Sequence, residues 1–176
     1  MFMIMSDGTI WDDDLNLLAE LLVVIDKQLV SILGDWKNHP HPDTLHPRFD
    51  RAEHIMGIGF VACQAYVTAT RGFLDAKKDI AFSVGPCLGT GQRIVQIVNH
   101  AANYWKHHEE WHLEQNSAYA DRILDAFDIV MPDHVDYPLS GILTALSDSE
   151  TLAFTSLVPK LSKWRDELYQ HASTKS

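Results

Sequence analysis

Between Asp12 and Leu33 the apolar residues Leu15, Leu18, Leu22, Ile25, Leu29 and Ile32 recur at steps of three and four. That is the period of one face of an α-helix, and the stretch has no alternation of the kind a half-buried strand shows. Asp12, Asp13 and Asp14 stand where a helix dipole favours negative charge, and Gly34 is a natural stop. The same period governs nearly every other long segment. It predicts helices over about Arg48 to Gly72 (extending towards Leu74), Thr90 to Glu114, Ser117 to Val130 and Leu139 to Leu146. A last helix is expected from near Asp148, with a kink or restart at Pro159 and with Leu161, Trp164 and Leu168 on its apolar face. Asp35 to Pro47, DWKNHPHPDTLHP, is too rich in proline to be a helix interior. In Ala76 to Gly91, the run IAFSV has strand composition but no partner, so it reads as a connector. The expected fold is all-α, a single domain over residues 1–176 built as a bundle of five to six helices.

A chain of 176 residues with 46% hydrophobic content buries a core large enough to need no disulfides. Cys63 and Cys87 form no CxxC pair and are expected as small buried hydrophobes in a reduced, cytoplasmic setting. MFMIMSDG lacks the basic segment and apolar length of a signal peptide. The longest apolar run, Ile55 to Val67, falls short of the ~20 residues of a membrane span and reads as a core helix. Its Gly57, Gly59, Ala62 and Ala65 would let a neighbouring helix approach closely. A formal net charge of −10 argues against non-specific binding to nucleic-acid phosphates, while leaving room for a local basic site.

The helix expected over Thr90 to Glu114 carries two stripes. Ile94, Val98, Ala101, Trp105, His108 and His112 form an apolar seam that ends in histidines. Beside it, Arg93, Gln96, His100, Asn103, His107, Glu110 and Glu114 are polar without exception. A solvated helix edge usually carries lysine and glutamate. Arginine, histidine and asparagine bordered by aromatics are instead the residue types of acid–base work and anion binding.

Within this helix His108, Glu109 and His112 match the H-E-x-x-H string of zinc peptidases, which would make the histidines ligands and Glu109 the base. The surroundings depart from that pattern. Lys106, Glu110 and Glu114 put charge where a buried helix would have none, and Leu113 to Gln115 supply neither glycine nor a third histidine. Glu109 and His112 also form an E-x-x-H pair, the spacing of di-metal bundles, but no second such pair exists. His39, His41 and His46 could add ligands, although a solvated proline-rich loop accounts for them as well. The expectation is no cofactor, with zinc as the alternative; otherwise His108 and His112 are core histidines bonded to neighbouring helices.

Arg93 and His100 are seven residues apart on one helix face. This R-x6-H pair resembles the R-x4-6-H motif of the HEPN superfamily, small all-α domains common in bacterial toxin–antitoxin and defence systems. The resemblance implies a homodimer that cleaves RNA without metal, Arg93 as phosphate clamp, His100 as general acid or base, and Asn103 and His107 in support. Ile94 stands where that family usually has a polar residue, and Arg48–His54 and Arg165–His171 repeat the spacing. The block Ala102 to Trp111 is also similar to stretches of bacterial helical proteins, a likeness that brings no activity with it. GPCLGTGQR, Gly85 to Arg93, sets a glycine-rich loop before a helix N-terminus, where anions bind, yet it lacks the Gly-Lys-Ser/Thr ending of a Walker loop. Three functions therefore stand as expectations: a HEPN-like RNase or a degenerate relative, a non-enzymatic interaction bundle, and a metal-dependent hydrolase. The expected partners are a second copy or another protein and, for the first function, RNA; a membrane is not expected.

Overall fold

The computed structural model describes residues 3–6, 9–34, 46–111, 118–131, 136–147 and 152–173. Seven α-helices run through them: α1 (Asp13–Leu33), α2 (His46–Phe73), α3 (Lys78–Ala81), α4 (Ile94–Trp111), α5 (Ala118–Val130), α6 (Pro138–Leu146) and α7 (Val158–Ser173). The fold is an all-α bundle. Its six longer helices follow the sequence period, and α3 adds a single turn. No helix among the described residues is long and apolar enough to cross a membrane.

The face expected for α1 is the one it buries: Leu15, Leu18, Leu22, Ile25, Leu29 and Ile32, joined by Leu33. Asp12 caps the helix by accepting the Leu15 amide at 2.9 Å. Gly34 ends it at φ +52°, a left-handed conformation in which glycine carries no steric cost. α2 lies at the centre, packed by α1, α4 and α6. Its glycines explain the fit. A β-carbon on Gly57 would fall inside the Trp105 ring of α4, and one on Gly59 would meet Phe154 at 2.6 Å.

Carboxylates tie the elements together. Asp12 Oδ2 accepts the Tyr66 hydroxyl at 2.6 Å and Arg165 Nη1 at 2.7 Å, joining α1, α2 and α7. Asp26 of α1 accepts the amides of Phe154 and Thr155 at 2.7 and 3.0 Å, which fixes the 3₁₀ turn Phe154–Leu157 ahead of α7. Trp164 is fully buried and donates its indole N–H to Ala81 O at 2.7 Å.

Several expectations are corrected. The N-terminal residues form an antiparallel hairpin, β1 (Met3–Ser6) with β2 (Thr9–Asp12), before α1 begins. The helix expected from Thr90 starts only at Ile94, because residues 85–93 fold into a closed loop. Pro159 neither kinks nor restarts a helix; it is the second residue of α7, where its missing amide costs nothing. IAFSV is neither strand nor plain connector, since Ile80 and Ala81 complete α3. His46, assigned to the proline-rich loop, is the first residue of α2. Cys63 is buried as expected, but Cys87 is exposed on the loop. The rest of the proline-rich loop, with His39 and His41, lies outside the described residues.

Candidate functional site

The polar stripe of α4 begins at Arg93, which is the residue preceding the helix and not part of its first turn. Its carbonyl accepts the amides of Gln96 at 3.0 Å and Ile97 at 3.2 Å. Its guanidinium turns back and donates from Nη1 to Gly85 O. The loop closes further through Ile94 N to Pro86 O at 3.0 Å and Leu88 N to Gln92 O at 2.8 Å. The Gly85 amide, a candidate anion donor, already binds the Glu167 carboxylate of α7 at 2.8 Å. The anion bound at Gly85 is thus the chain's own.

Further along α4, tertiary structure brings a different set together. His100 is half-buried, and burial, then Arg122 of α5 and Lys78 of α3, push its pKa below the usual imidazole range. All three causes disfavour a second proton, so the ring is held neutral. Its Nδ1 is buried with no hydrogen-bond partner. Among the described residues neither Lys78 nor Arg122 is ion-paired with a carboxylate. One turn on, Asn103 accepts Gln64 Nε2 at 3.0 Å, and its side chain also hydrogen-bonds Tyr119. Tyr119 is 43% exposed and meets Trp111 edge-to-face at 6.5 Å. The result is a surface where α3, α4 and α5 present two cations without a carboxylate partner among the described residues (Lys78 lies over the Phe82 ring at 5.8 Å), one neutral histidine and the exposed Tyr119 ring.

The structure thus gathers His100 and Asn103 but not the other two predicted residues. Arg93 lies about 10 Å along the helix from His100, from seven residues at 1.5 Å each, and its guanidinium is engaged. His107 donates from Nδ1 to its exposed neighbour Glu110 at 3.1 Å. Lys78, Tyr119 and Arg122 were missed, because no local spacing connects them to this stretch of α4; they come near it only once the helices pack.

The H-E-x-x-H string fares differently. His108 donates from Nδ1 to Tyr104 O at 3.1 Å and Trp105 O at 3.3 Å within its own helix, not to a neighbouring one. Its ring stacks on Tyr104 with centroids 4.8 Å apart. Glu109 is exposed, and His112 lies outside the described residues. His46 bonds the Tyr137 hydroxyl at 2.9 Å. Among the described residues no group of three His, Cys, Asp or Glu is arranged to hold a metal ion.

Comparison with protein-family models, with curated proteins and with solved structures finds no match to this chain. Its functional reading therefore rests on its own residues.

Proposed function

We propose that the α3–α4–α5 face binds the sugar-phosphate backbone of RNA and cleaves it without a metal, in the manner of a HEPN-like RNase. The observation that carries this reading is a half-buried, neutral His100 that feels the positive charges of Arg122 and Lys78, neither of which has a carboxylate partner among the described residues. His100 takes the proton of a ribose 2′-hydroxyl. The 2′-oxygen bonds to the adjacent phosphorus and the P–O5′ bond breaks. A 2′,3′-cyclic phosphate and a 5′-hydroxyl end are formed, the leaving oxygen taking a proton from water or from the protonated His100. Arg122 and Lys78 stabilise the extra charge on phosphorus. Exposed Tyr119 offers a face on which a base stacks, at roughly 1–3 kcal/mol per base, with the partly buried Trp111 ring behind it. Arg93 acts here as a positioning residue, holding the loop that starts α4, and Arg122 replaces it as the phosphate contact.

A second reading, a bundle that works by association with another protein or a second copy, is supported by a different face. Leu17, Leu21 and Val24 of α1 are 66%, 44% and 61% exposed, and Ile58 of α2 is 40% exposed, beside a groove of about 350 Å³. One set of samples separates the two readings. EDTA-treated protein is incubated with end-labelled single-stranded RNA, and its mass is measured by light scattering. For the RNase, products end in 2′,3′-cyclic phosphate, His100→Ala and Arg122→Ala lose at least about 100-fold in rate, and Glu109→Gln changes nothing. An RNA left uncut and unbound at low salt, with an assembly that Leu21→Lys dissociates, would replace the first reading by the second.

A further inference from the structure

Away from that face, α2 and α6 enclose a cavity of about 230 Å³ whose walls include Leu33, Phe49, Ala52, Met56 and Leu152. Among the described residues one charged group opens onto it, the half-buried carboxylate of Glu53. Glu53 Oε2 accepts the Leu139 amide at 3.0 Å and Oε1 the Ser140 amide at 2.7 Å, with the Ser140 side chain beside them, so its protein donors are neutral. Among the described residues no lysine or arginine pairs with it. His108 contributes a weaker pull, and burial still leaves the Glu53 carboxyl above its usual range. A carboxylate removed from water ordinarily has a cation beside it. Here the amides at the start of α6 supply only partial positive charge, and among the described residues the place of a full counter-charge is an open cavity rather than a side chain.

The rest of the lining describes the molecule that would bring the cation. Phe49 and Tyr137 meet with ring centroids 5.3 Å apart, forming an aromatic edge to the cavity. Aromatic faces attract organic cations and bury apolar carbon. The Tyr137 hydroxyl is fixed by His46, and the Ser140 hydroxyl donates to Tyr137 O at 2.8 Å, so neither seeks a partner. An anion would face Glu53 directly, and a neutral apolar molecule would leave the carboxylate as it is. The volume lies below the ~300–1,000 Å³ of drug-sized sites, which limits the occupant to a small one. We infer that this cavity is a binding site for a small organic ammonium carrying a compact apolar body. The inference is independent of the RNA-cleaving face, which shares no residue with it.

The probe is phenethylamine, with 2-phenylethanol and 3-phenylpropionate as neutral and anionic controls. Binding is followed by calorimetry and by the NMR signal of the Met56 methyl group, which lines the cavity. Phenethylamine should bind and shift that signal, 2-phenylethanol should bind at least about tenfold more weakly, and 3-phenylpropionate should not bind. Glu53→Gln should cost the amine a similar factor. Because Glu53 also caps α6, Thr144→Phe provides a second variant: it starts from an exposed position on α6 and fills the mouth, so the amine should no longer bind. No binding of phenethylamine at millimolar concentration would overturn the assignment. So would equal binding of the alcohol, or a Met56 shift that survives Thr144→Phe.

Discussion

Asp12→Ala removes one carboxylate that three elements share. In the intact protein Oδ1 caps α1 through the Leu15 amide at 2.9 Å, while Oδ2 accepts the Tyr66 hydroxyl at 2.6 Å and Arg165 Nη1 at 2.7 Å. The Arg165 and Asp12 side chains are only 10% and 3% exposed, so water screens their attraction little. Loss of an N-cap costs about 1 kcal/mol, and breaking one side of a buried ion pair costs about 3–5 kcal/mol because a charge stays behind unpaired. These costs overlap, since a single carboxylate is lost. Asp166 keeps its contacts to Arg165 Nε and Nη2 at 3.0 and 2.7 Å, which offsets part of the loss. A destabilisation of about 3–4 kcal/mol follows, a large share of the ~5–15 kcal/mol that holds a domain together.

Urea unfolding followed by circular dichroism measures this directly. Tyr66→Phe, which removes one hydroxyl and leaves the ion pair, should cost about 1–2 kcal/mol. In the double variant Asp12→Ala, Arg165→Met no buried charge is left unpaired, since Asp166 is half exposed, so it should be more stable than the sum of the single losses implies. A loss below about 1 kcal/mol for Asp12→Ala, or a Tyr66→Phe loss equal to it, would refute the view that this carboxylate joins α1, α2 and α7.

Two further outcomes test other parts of the molecule. The pKa of His100 is depressed in the folded state, so the unfolded chain binds more protons as pH falls through the ordinary imidazole range; stability present above about pH 6.5 should decline on acidification. His100→Gln should flatten that decline in urea midpoints measured from neutral to mildly acidic pH, and an unchanged slope would remove the neutral buried imidazole. Gly57→Ala should cost about 1–3 kcal/mol or more, because its β-carbon collides with the Trp105 ring, and pairing it with Trp105→Leu should recover part of the loss. Additive losses in a double-mutant cycle would contradict that contact.

What the sequence made legible was decided by periodicity. Leu15 to Ile32 announce the buried face of α1 because a helix repeats one physical requirement at every turn. The two stripes of α4 are legible for the same reason, and Ile94, Val98 and Ala101 are buried on the expected side. Where one residue faces one tertiary partner, no repeat exists to be read. The hairpin is only four residues per strand, too short to display an alternation. Arg93 lay in phase with the stripe, yet its guanidinium is claimed by Gly85 across a loop whose closure no spacing foretells. Lys78 and Arg122 act on His100 through their charge from two other helices, 22 residues away on either side in sequence.

The acidic composition also has a structural meaning that a count of charges hides. The chain has 24 carboxylate side chains against 14 lysines and arginines. Counting alone suggests that any cation would be neutralised by a nearby acid. Instead, Asp26, Glu53 and Glu167 each reach from one helix to backbone amides of another segment, and Asp12 caps its own helix. Backbone N–H groups at such starts are donors the chain must satisfy somehow, and carboxylates from neighbouring helices satisfy them while fixing the packing. A carboxylate committed to amides in this way is not spent on pairing with a lysine or arginine of the surface. Arg165 is drawn into the interior by Asp12, whereas Lys78 and Arg122 have no carboxylate partner among the described residues and leave their charge to act on His100. A net charge of −10 therefore sets the far field of the molecule and disfavours indiscriminate phosphate binding. It does not decide what happens within a few ångströms of His100, where only the local charges count.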